Sequence, residues 1–269
     1  MPELPDIELF RQLVERHCRG RIIAKATVLD PGILRDTSPS ALQHSLVGSR
    51  LMACRRHGKI LFIEVNGSAV LAMHFGTNGS LRYVVPNQSE PPYTRLRLDF
   101  TDGDHLAYIN PRRIGRVVLA RSVEAIIDRD GLGPDALDPS LDAEALAGLL
   151  GKRAQSVKAV LMDQTLIAGI GNIFADEILF QAKVHPNLRA SSLNAATIRC
   201  LFQTMRSVLR TAIERGVGAE VSTTQTPKGF LLPERHSRGR CPRCRTPIQA
   251  DKRGGRTTYY CPACQPKND

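Results

Sequence analysis

Between Ile22 and Ala120, apolar and polar positions alternate in short runs, in KILFIEV, SAVLAMHF, TRLRLDF and RVVLA. Turn-forming clusters such as NGS, PNQSEPP and TDGD separate them. A period of two with β-branched residues predicts half-buried strands, and several short strands at this spacing predict a sandwich or barrel. Ahead of them, Leu9, Leu13, Val14 and Cys18 recur at helical spacing, so a helix is expected to lead a β-rich domain over residues 1–122. RSVEAIIDRDGLGPDALDPS, rich in Gly, Pro and Asp, reads as a linker over 123–140. From Asp142 the period becomes helical, through AEALAGLLGKRAQSVKAVLMDQ, FADEILFQAKV and AATIRCLFQTMRSVLRTAIERG, which predicts a helical domain over 141–217. The glycine-rich AGIGN between the first two runs predicts a tight connection ahead of Asn172. A polar stretch with little periodicity fills 218–237, and a cysteine-bearing segment closes the chain over 238–269. The fold class expected is therefore α+β with two domains.

Composition narrows the partners. The 269 residues carry 37 Lys and Arg against 26 Asp and Glu, a formal net charge of +11, which concentrates polyanions and points to nucleic acid. No apolar run reaches membrane-spanning length, and the start lacks the pattern of a secretory signal, so a cytosolic location is expected. Cys241, Cys244, Cys261 and Cys264 form two C-x-x-C pairs, the spacing of a tetrahedral four-thiolate zinc site. A disulfide framework is the alternative, disfavoured in a chain expected to stay in the cytosol. Cys18, Cys54 and Cys200 are scattered singly and read as small buried hydrophobes. Tyr259 and Tyr260, just before the second pair, read as packing for a small core.

The opening PELPDIE admits two readings. Pro5 suits the first turn of a helix, where a missing N–H costs nothing, and Pro2 can be a remnant of a loose terminus. Alternatively, removal of Met1, which normally follows when a small residue such as proline comes next, exposes the secondary amine of Pro2. An α-amino group with a pKa of roughly 7.7–8.0 is partly unprotonated near neutrality and can attack a carbonyl-like carbon to form an iminium. Glu3 beside it would donate or accept the proton.

Six motifs in order, PELPDIE, HGK ending at Lys59, HFGTNGSL, NPRRIG, LMDQTLIAGIGNIFADEILF and GGRTTYYCPACQ, span nearly the whole chain. With them the sequence resembles the bacterial formamidopyrimidine-DNA glycosylase and endonuclease VIII family of base-excision repair enzymes. The resemblance implies a β-sandwich or barrel-like N-terminal domain with a leading helix, and a helix-two-turn-helix domain followed by a four-cysteine zinc finger. It also implies a bifunctional DNA glycosylase and AP lyase in which Pro2 is the nucleophile and Glu3 the acid and base. An iminium at the sugar would then drive β- and δ-elimination, with no metal in the chemistry. Lys59, Asn172 and Arg256 fall on the family's phosphate contacts, and Lys59 is also the alternative catalytic amine. Asn172 additionally suits helix capping, with backbone N–H groups turned to a phosphate. Asp6, Glu177 and Lys158 match supporting positions near the site; Asp6 stands where many relatives carry glutamate, and Lys158 reads equally well as a helix-surface lysine. One structural zinc, held by the four paired cysteines, would aim Arg256 at DNA. The partner implied is damaged duplex DNA, with bubble or single-stranded forms also accepted, bound by a monomer in the bacterial cytosol or nucleoid.

The sequence departs from the pattern at the wedge. Members that prefer 8-oxoguanine opposite cytosine fill the vacated duplex space with methionine, arginine and phenylalanine; here these positions hold Thr77, Arg112 and Ile114. The stretch VSTTQTPKGFLLPERHSRG also differs from the loop those members fold over 8-oxoguanine. Weak 8-oxoguanine activity is expected, with ring-opened purines, oxidised pyrimidines or hydantoins preferred. A catalytically inactive damaged-DNA-binding protein on the same scaffold and a zinc-dependent RNA-binding module are the readings from other classes. Retention of both Pro2 and Glu3 favours the enzyme over the first, and the β-rich domain favours it over the second.

Overall fold

The computed structural model describes all residues except 67–68, 219–224, 254 and 268–269. The chain divides into two units, Met1–Pro2 with Asp6–Gly131 and Glu3–Pro5 with Leu132–Asp269.

In the first unit the alternating runs form strands. Helix α1 (Leu4–His17) carries Pro5 in its first turn and continues from Asp6 within this unit. After it come β1 (Ile23–Val28), β2 (Leu34–Arg35), α2 (Pro39–Leu46), β3 (Leu51–His57), β4 (Ile60–Val65) and β5 (Val70–His74). Next are β6 (Ser80–Val84), β7 (Thr94–Phe100), β8 (His105–Ile109), β9 (Arg116–Ala120) and α3 (Val123–Arg129). The strands form a four-stranded sheet in the order β1-β7-β8-β6 and a five-stranded sheet in the order β2-β9-β5-β4-β3. One core unites them: Phe10, Val14 and Cys18 of α1, Leu42 and Leu46 of α2, and inward positions of both sheets such as Ile63, Leu71, Leu98 and Leu106. Helix α3 lies within the stretch read as a linker over 123–140, where the division between the two units also falls, at Gly131 and Leu132. Ser122 caps the helix by accepting from Ala125 N (3.1 Å), and Val123 and Ile126 are buried.

The second unit contains α4 (Ala143–Gly151), α5 (Val157–Met162), α6 (Asn172–Gln181) and α7 (Ala195–Glu214), then the hairpin β10 (Gln249–Arg253) and β11 (Arg256–Tyr260). The run AEALAGLLGKRAQSVKAVLMDQ, read as helical in period, forms two helices. Gly151 ends α4, and Ser156 caps α5 by accepting from Ala159 N (3.3 Å). Ser and Gly between apolar runs favour a stop and restart, because the hydroxyl satisfies an orphan N–H that a continuous helix would not offer. Along α7, Ile198, Leu201, Met205, Val208, Leu209 and Ala212 make a buried stripe at helical spacing. Cys18 and Cys54 are buried as expected, whereas Cys200 is exposed on the outer face of α7. Part of the polar stretch over 218–237, residues 219–224, lies outside the described residues.

Asn110 organises the loops at one end of the first unit. Fully buried, it donates from Nδ2 to Phe75 O (2.8 Å) and accepts at Oδ1 from Ile114 N (3.1 Å) and Gly115 N (3.3 Å). Its backbone N–H reaches Tyr93 O (3.0 Å). The loop after β5 and the loop after β8 are thereby pinned together so closely that a Cβ on Gly76 would lie 2.7 Å from Gly115 N. Asn110→Ala would leave two buried backbone groups, Phe75 O and Gly115 N, and the part-buried Ile114 N without this partner. It should lower the unfolding free energy by about 2–4 kcal/mol, read as a reduced urea midpoint with unchanged m-value; a loss below about 0.5 kcal/mol would contradict the bracing role.

Candidate active site

Glu3, though next to Pro2 in sequence, is held by the start of α6. Its carboxylate accepts from Gly171 N (2.8 Å), Ile173 N (2.8 Å) and Phe174 N (3.0 Å), and it is buried. These are N–H groups that the first turn of a helix leaves without an internal partner, at the positive end of its dipole. The glycines of AGIGN make the approach feasible. Gly169, at φ 114°, lies where a Cβ would sit 2.6 Å from Leu4 Cδ1, and a Cβ on Gly171 would collide with the Glu3 carboxyl. Leu4 N donates to Gly169 O (3.0 Å). Gln164 braces the same connection, accepting from Gly169 N (3.0 Å) and donating to Ile170 O and Met162 O (both 2.8 Å). The N-cap of α6 is Gly171, and no side chain of its own caps it. Asn172 is thus not the cap, and three of the first N–H groups of the helix, those of Gly171, Ile173 and Phe174, are engaged by Glu3.

Asn172 and Arg256 line one cavity of about 270 Å³ with Lys158, Thr258, Ser156 and Asn187. The Asn172 amide donates to Thr257 O (3.0 Å) and keeps a second N–H, while Arg256 is exposed at the start of β11. Lys158 is buried, which removes the reading of a surface lysine. Its Nζ lies 2.6 Å from Asp176 Oδ1 and donates to Thr258 Oγ1 (2.8 Å). Burial pulls its ammonium below the usual lysine value, against the pull of Asp176.

The four paired cysteines converge. Sγ–Sγ distances are 3.7 Å for Cys241–Cys264 and 3.5 Å for both Cys244–Cys261 and Cys244–Cys264. All four sulfurs lie within 4.8 Å of one another. Four thiolates about 2.3 Å from a tetrahedral zinc stand about 3.8 Å apart, so the residues fit the ion, and these cysteines hold one structural zinc. Arg243 N and Cys264 N point at the sulfurs of Cys241 and Cys261 (both 3.4 Å). The finger packs on the end of α6 through Phe180, Leu231, Cys241, Ile248 and Cys261, and Tyr259 joins that small core.

In the first unit, Lys59 follows Gly58 (φ 54°) in the two-residue turn closed by the His57↔Ile60 pair. Glycine at the first central position is what such a hairpin turn requires. His74 lies opposite both Ile60 and Arg116 in the ladder. Burial, with Arg116 and Lys59 nearby, pushes it down to about 4. His74 Nδ1 accepts from Gly76 N (3.2 Å), so near neutrality the ring is uncharged with its proton on Nε2. It sits in the quoted motif HFGTNGSL, yet the residue pattern alone gave no reason to single it out. Thr77 is half-buried on the loop after β5; Arg112 is exposed and Ile114 is 57% exposed on the loop after β8. Asp6 is fully buried in the first turn of α1.

Glu177 faces a different neighbourhood from Glu3. Its carboxylate accepts from Gln181 Nε2 (2.7 Å) and Leu232 N (2.8 Å), with Leu231 N also close. It braces the segment leading into the zinc finger.

The family model described as the formamidopyrimidine-DNA glycosylase N-terminal domain matches residues 1–117. That of the formamidopyrimidine-DNA glycosylase H2TH domain matches 132–225, and that of the zinc finger found in FPG and IleRS matches 239–267. The chain is 36% identical to the formamidopyrimidine-DNA glycosylase of Moorella thermoacetica, covering 93% of this chain and 94% of that protein. It is 35% identical to that of Acidothermus cellulolyticus, covering 99% and 98%. The structure superposes on Lactococcus lactis FPG bound to Fapy-dG containing DNA with a TM-score of 0.89, at 28% identity over 99% of this chain and 100% of that one. It also superposes on the same organism's formamido-pyrimidine DNA glycosylase non-covalently bound to AP-site DNA, at 0.89 and 27% identity, over 98% and 100%. An α+β fold of this form, with its zinc finger, defines a DNA-repair glycosylase. The chain belongs to the formamidopyrimidine-DNA glycosylase family, whose members are DNA glycosylases with AP-lyase activity. Among the described residues no helix is long and apolar enough to cross a membrane.

Glu177 generates a pH prediction. Burial pushes its carboxyl from an ordinary 4.5 up to about 7, outweighing its hydrogen bonds and Arg235. A carboxyl raised in the folded state binds its proton more tightly there. Its contribution is therefore most favourable below the unfolded value and is lost as the pH rises through about 7. Glu177→Gln cannot titrate. The unfolding free energy of the variant relative to wild type should rise by about 2–3 kcal/mol between pH 5 and 8; a difference that stays flat in paired denaturant titrations refutes the shift.

Proposed function

We propose that this chain excises oxidised bases from DNA and cleaves the resulting abasic site through the amine of Pro2, freed by removal of Met1. The observation that carries the reading is the Glu3 carboxylate on the three N–H groups at the start of α6. It fixes an acid–base group on the residue that follows the nucleophile, which a protein that merely binds DNA has no use for. In the step proposed, the Pro2 nitrogen attacks the sugar C1′, the glycosidic bond breaks, and the base leaves with a proton. Opening of the sugar ring gives an iminium to Pro2. That electron sink acidifies the C2′ hydrogen; its loss expels the 3′ phosphate, and a second elimination expels the 5′ phosphate. Glu3 exchanges protons with the sugar and the departing base, and Asp6, buried in the first turn of α1, supports the geometry there.

Lys59, Asn172 and Arg256 are the phosphate contacts in this reading, with Lys158 behind them. The shared cavity of Asn172, Arg256 and Lys158 supports that assignment, as does the basic excess of +11. A nucleotide rotated out of the duplex must be held by its flanking phosphates. Arg112 and Ile114, exposed on the loop after β8, with Thr77 on the neighbouring loop, form the wedge that replaces the lost stacking. Ring-opened purines, oxidised pyrimidines and hydantoins are the proposed substrates, with 8-oxoguanine weak. The Lactococcus lactis relative bound to Fapy-dG containing DNA supports the first of these.

Borohydride should trap the processed enzyme covalently on abasic-site DNA. Pro2→Gly should weaken the trapping, and one extra residue ahead of Pro2 should abolish it; trapping that survives the blocked terminus would shift the nucleophile to a lysine, with Lys59 the first to replace.

The wedge gives a second prediction. Thr77 and Ile114 offer less stacking area than methionine and phenylalanine, so unstacking, which costs a few kcal/mol, is less well compensated in ordinary duplex. Wild type should discriminate weakly among opposite bases and retain activity in bubbles. Thr77→Met with Ile114→Phe should raise the duplex rate roughly tenfold, and Arg112→Ala should remove most of it. Single-turnover excision of one lesion opposite each of the four bases and in a bubble decides; strong cytosine dependence in wild type would sink this reading of the two positions.

A further inference from the structure

Strand β11 is held to the helices at three consecutive residues. Thr257 O accepts from Asn172, Thr258 Oγ1 accepts from Lys158, and Tyr259 N donates to Asp176 Oδ2 (3.1 Å). The residue immediately before them is Arg256. Two of the three attachments depend on Asp176. Its carboxylate receives Tyr259 N directly and holds Lys158 at 2.6 Å. It also takes Arg235, whose Nε and Nη2 lie 3.2 and 2.9 Å from Oδ2. Arg235 in turn stacks 5.1 Å over the Tyr259 ring and reaches Asn172 O (3.4 Å). Asp176 side chain exposure is 0%, and its two cationic partners are 7% and 12% exposed.

Resting on the reading of Asn172 and Arg256 as phosphate contacts, we propose that Asp176 is the positioning residue of this clamp: it docks β11 onto α6 so that Arg256 and Asn172 face one phosphate, with Lys158 behind them. The carboxylate touches none of the DNA itself. Two cations share the Asp176 carboxylate, and one of them, Lys158, lines the cavity with Asn172 and Arg256. A DNA phosphate held by Arg256 and Asn172 would favour the docked β11, so DNA binding and finger docking reinforce each other.

The sign of one measurement separates positioning from simple charge. Removing an acidic group near a polyanion site strengthens binding if electrostatics alone is at work. Positioning predicts the reverse. Asp176→Asn keeps the shape and removes the charge, leaving Lys158 and Arg235 without their counter-ion. Its dissociation constant for duplex DNA carrying a tetrahydrofuran abasic analogue should rise at least about tenfold. The half-saturating DNA concentration in single-turnover incision should rise more than the saturated rate falls. Hydrogen exchange in the peptide spanning 256–260 should quicken while one zinc per chain is retained. Affinity equal to or tighter than wild type overturns the proposal. If Asp176→Asn loses its zinc, Thr258→Val decides: it keeps Asp176 and removes the hydroxyl held by Lys158. It should weaken the same binding about two- to threefold, and unchanged affinity overturns the proposal. Wild type that neither incises nor traps on damaged DNA would instead count against the function proposed above.

Discussion

The interaction on which the rest of this structure depends is the seating of one carboxylate on one helix end. A helix begins with N–H groups that have no partner within it, and a buried helix start left that way is unfavourable by roughly 1–3 kcal/mol for each group. In α6 those groups are satisfied by Glu3, which lies 168 residues away from Gly171 in sequence. Closing so long a loop is entropically unfavourable, and a burial as complete as that of Leu4 helps to offset it. The consequence for chemistry is direct. A residue at a chain terminus is ordinarily loose, but here the third and fourth residues are fixed by hydrogen bonds to the start of α6 and to Gly169 O. Gly169 and Gly171 are required by the same contact, one yielding space to Leu4 and the other to the carboxyl of Glu3.

Helix α6 then carries other polar anchors along a body that is buried from Phe174 to Phe180. Asp176 faces Lys158, Arg235 and β11; Glu177, one residue on, faces Gln181 and the segment at Leu231 and Leu232. At its C-terminal end Arg243 of the finger donates to Phe180 O (2.8 Å) and lies 4.3 Å over the Phe180 ring. Neighbouring acidic residues on a helix point in different directions, so Asp176 and Glu177 brace two different segments. Burying a carboxylate is tolerable for Asp176 because cations and an N–H surround it. For Glu177 the partners are neutral donors, and burial dominates its titration.

Much of this was legible in the sequence because it obeys local rules. The strands show period two, α7 shows its buried stripe, and the paired cysteines show zinc spacing. The glycines of AGIGN announced a tight connection, and the structure adds what the connection is for. Other features depend on contacts that no local pattern encodes. Lys158 looks like a surface lysine until Asp176 approaches it from another helix. Asn172 looks like a cap until Glu3 takes the cap's donors from the far end of the chain. Helix α3 was hidden by flanking Gly, Pro and Asp that suggested a linker, although Ser122 three residues before Ala125 is an N-cap signal. Cys200 falls on the polar side of α7, where the periodicity of that helix itself places it outside.

The wedge shows how such a scaffold separates shape from specificity. Asn110, Tyr108 and the glycines at 76, 79 and 115 form a frame with no space to spare: Tyr108 OH donates to His74 O (2.8 Å), and a Cβ on Gly115 would collide with that hydroxyl. Substitution within this frame would displace both loops at once. At the tips the constraint disappears, since Arg112 and Ile114 project outward and meet little of the protein. What stands at positions 112 and 114 therefore alters what the loops present outward without altering where the loops are. Under the function proposed above, a change at 112 or 114 would alter opposite-base tolerance while leaving the Asn110 frame in place.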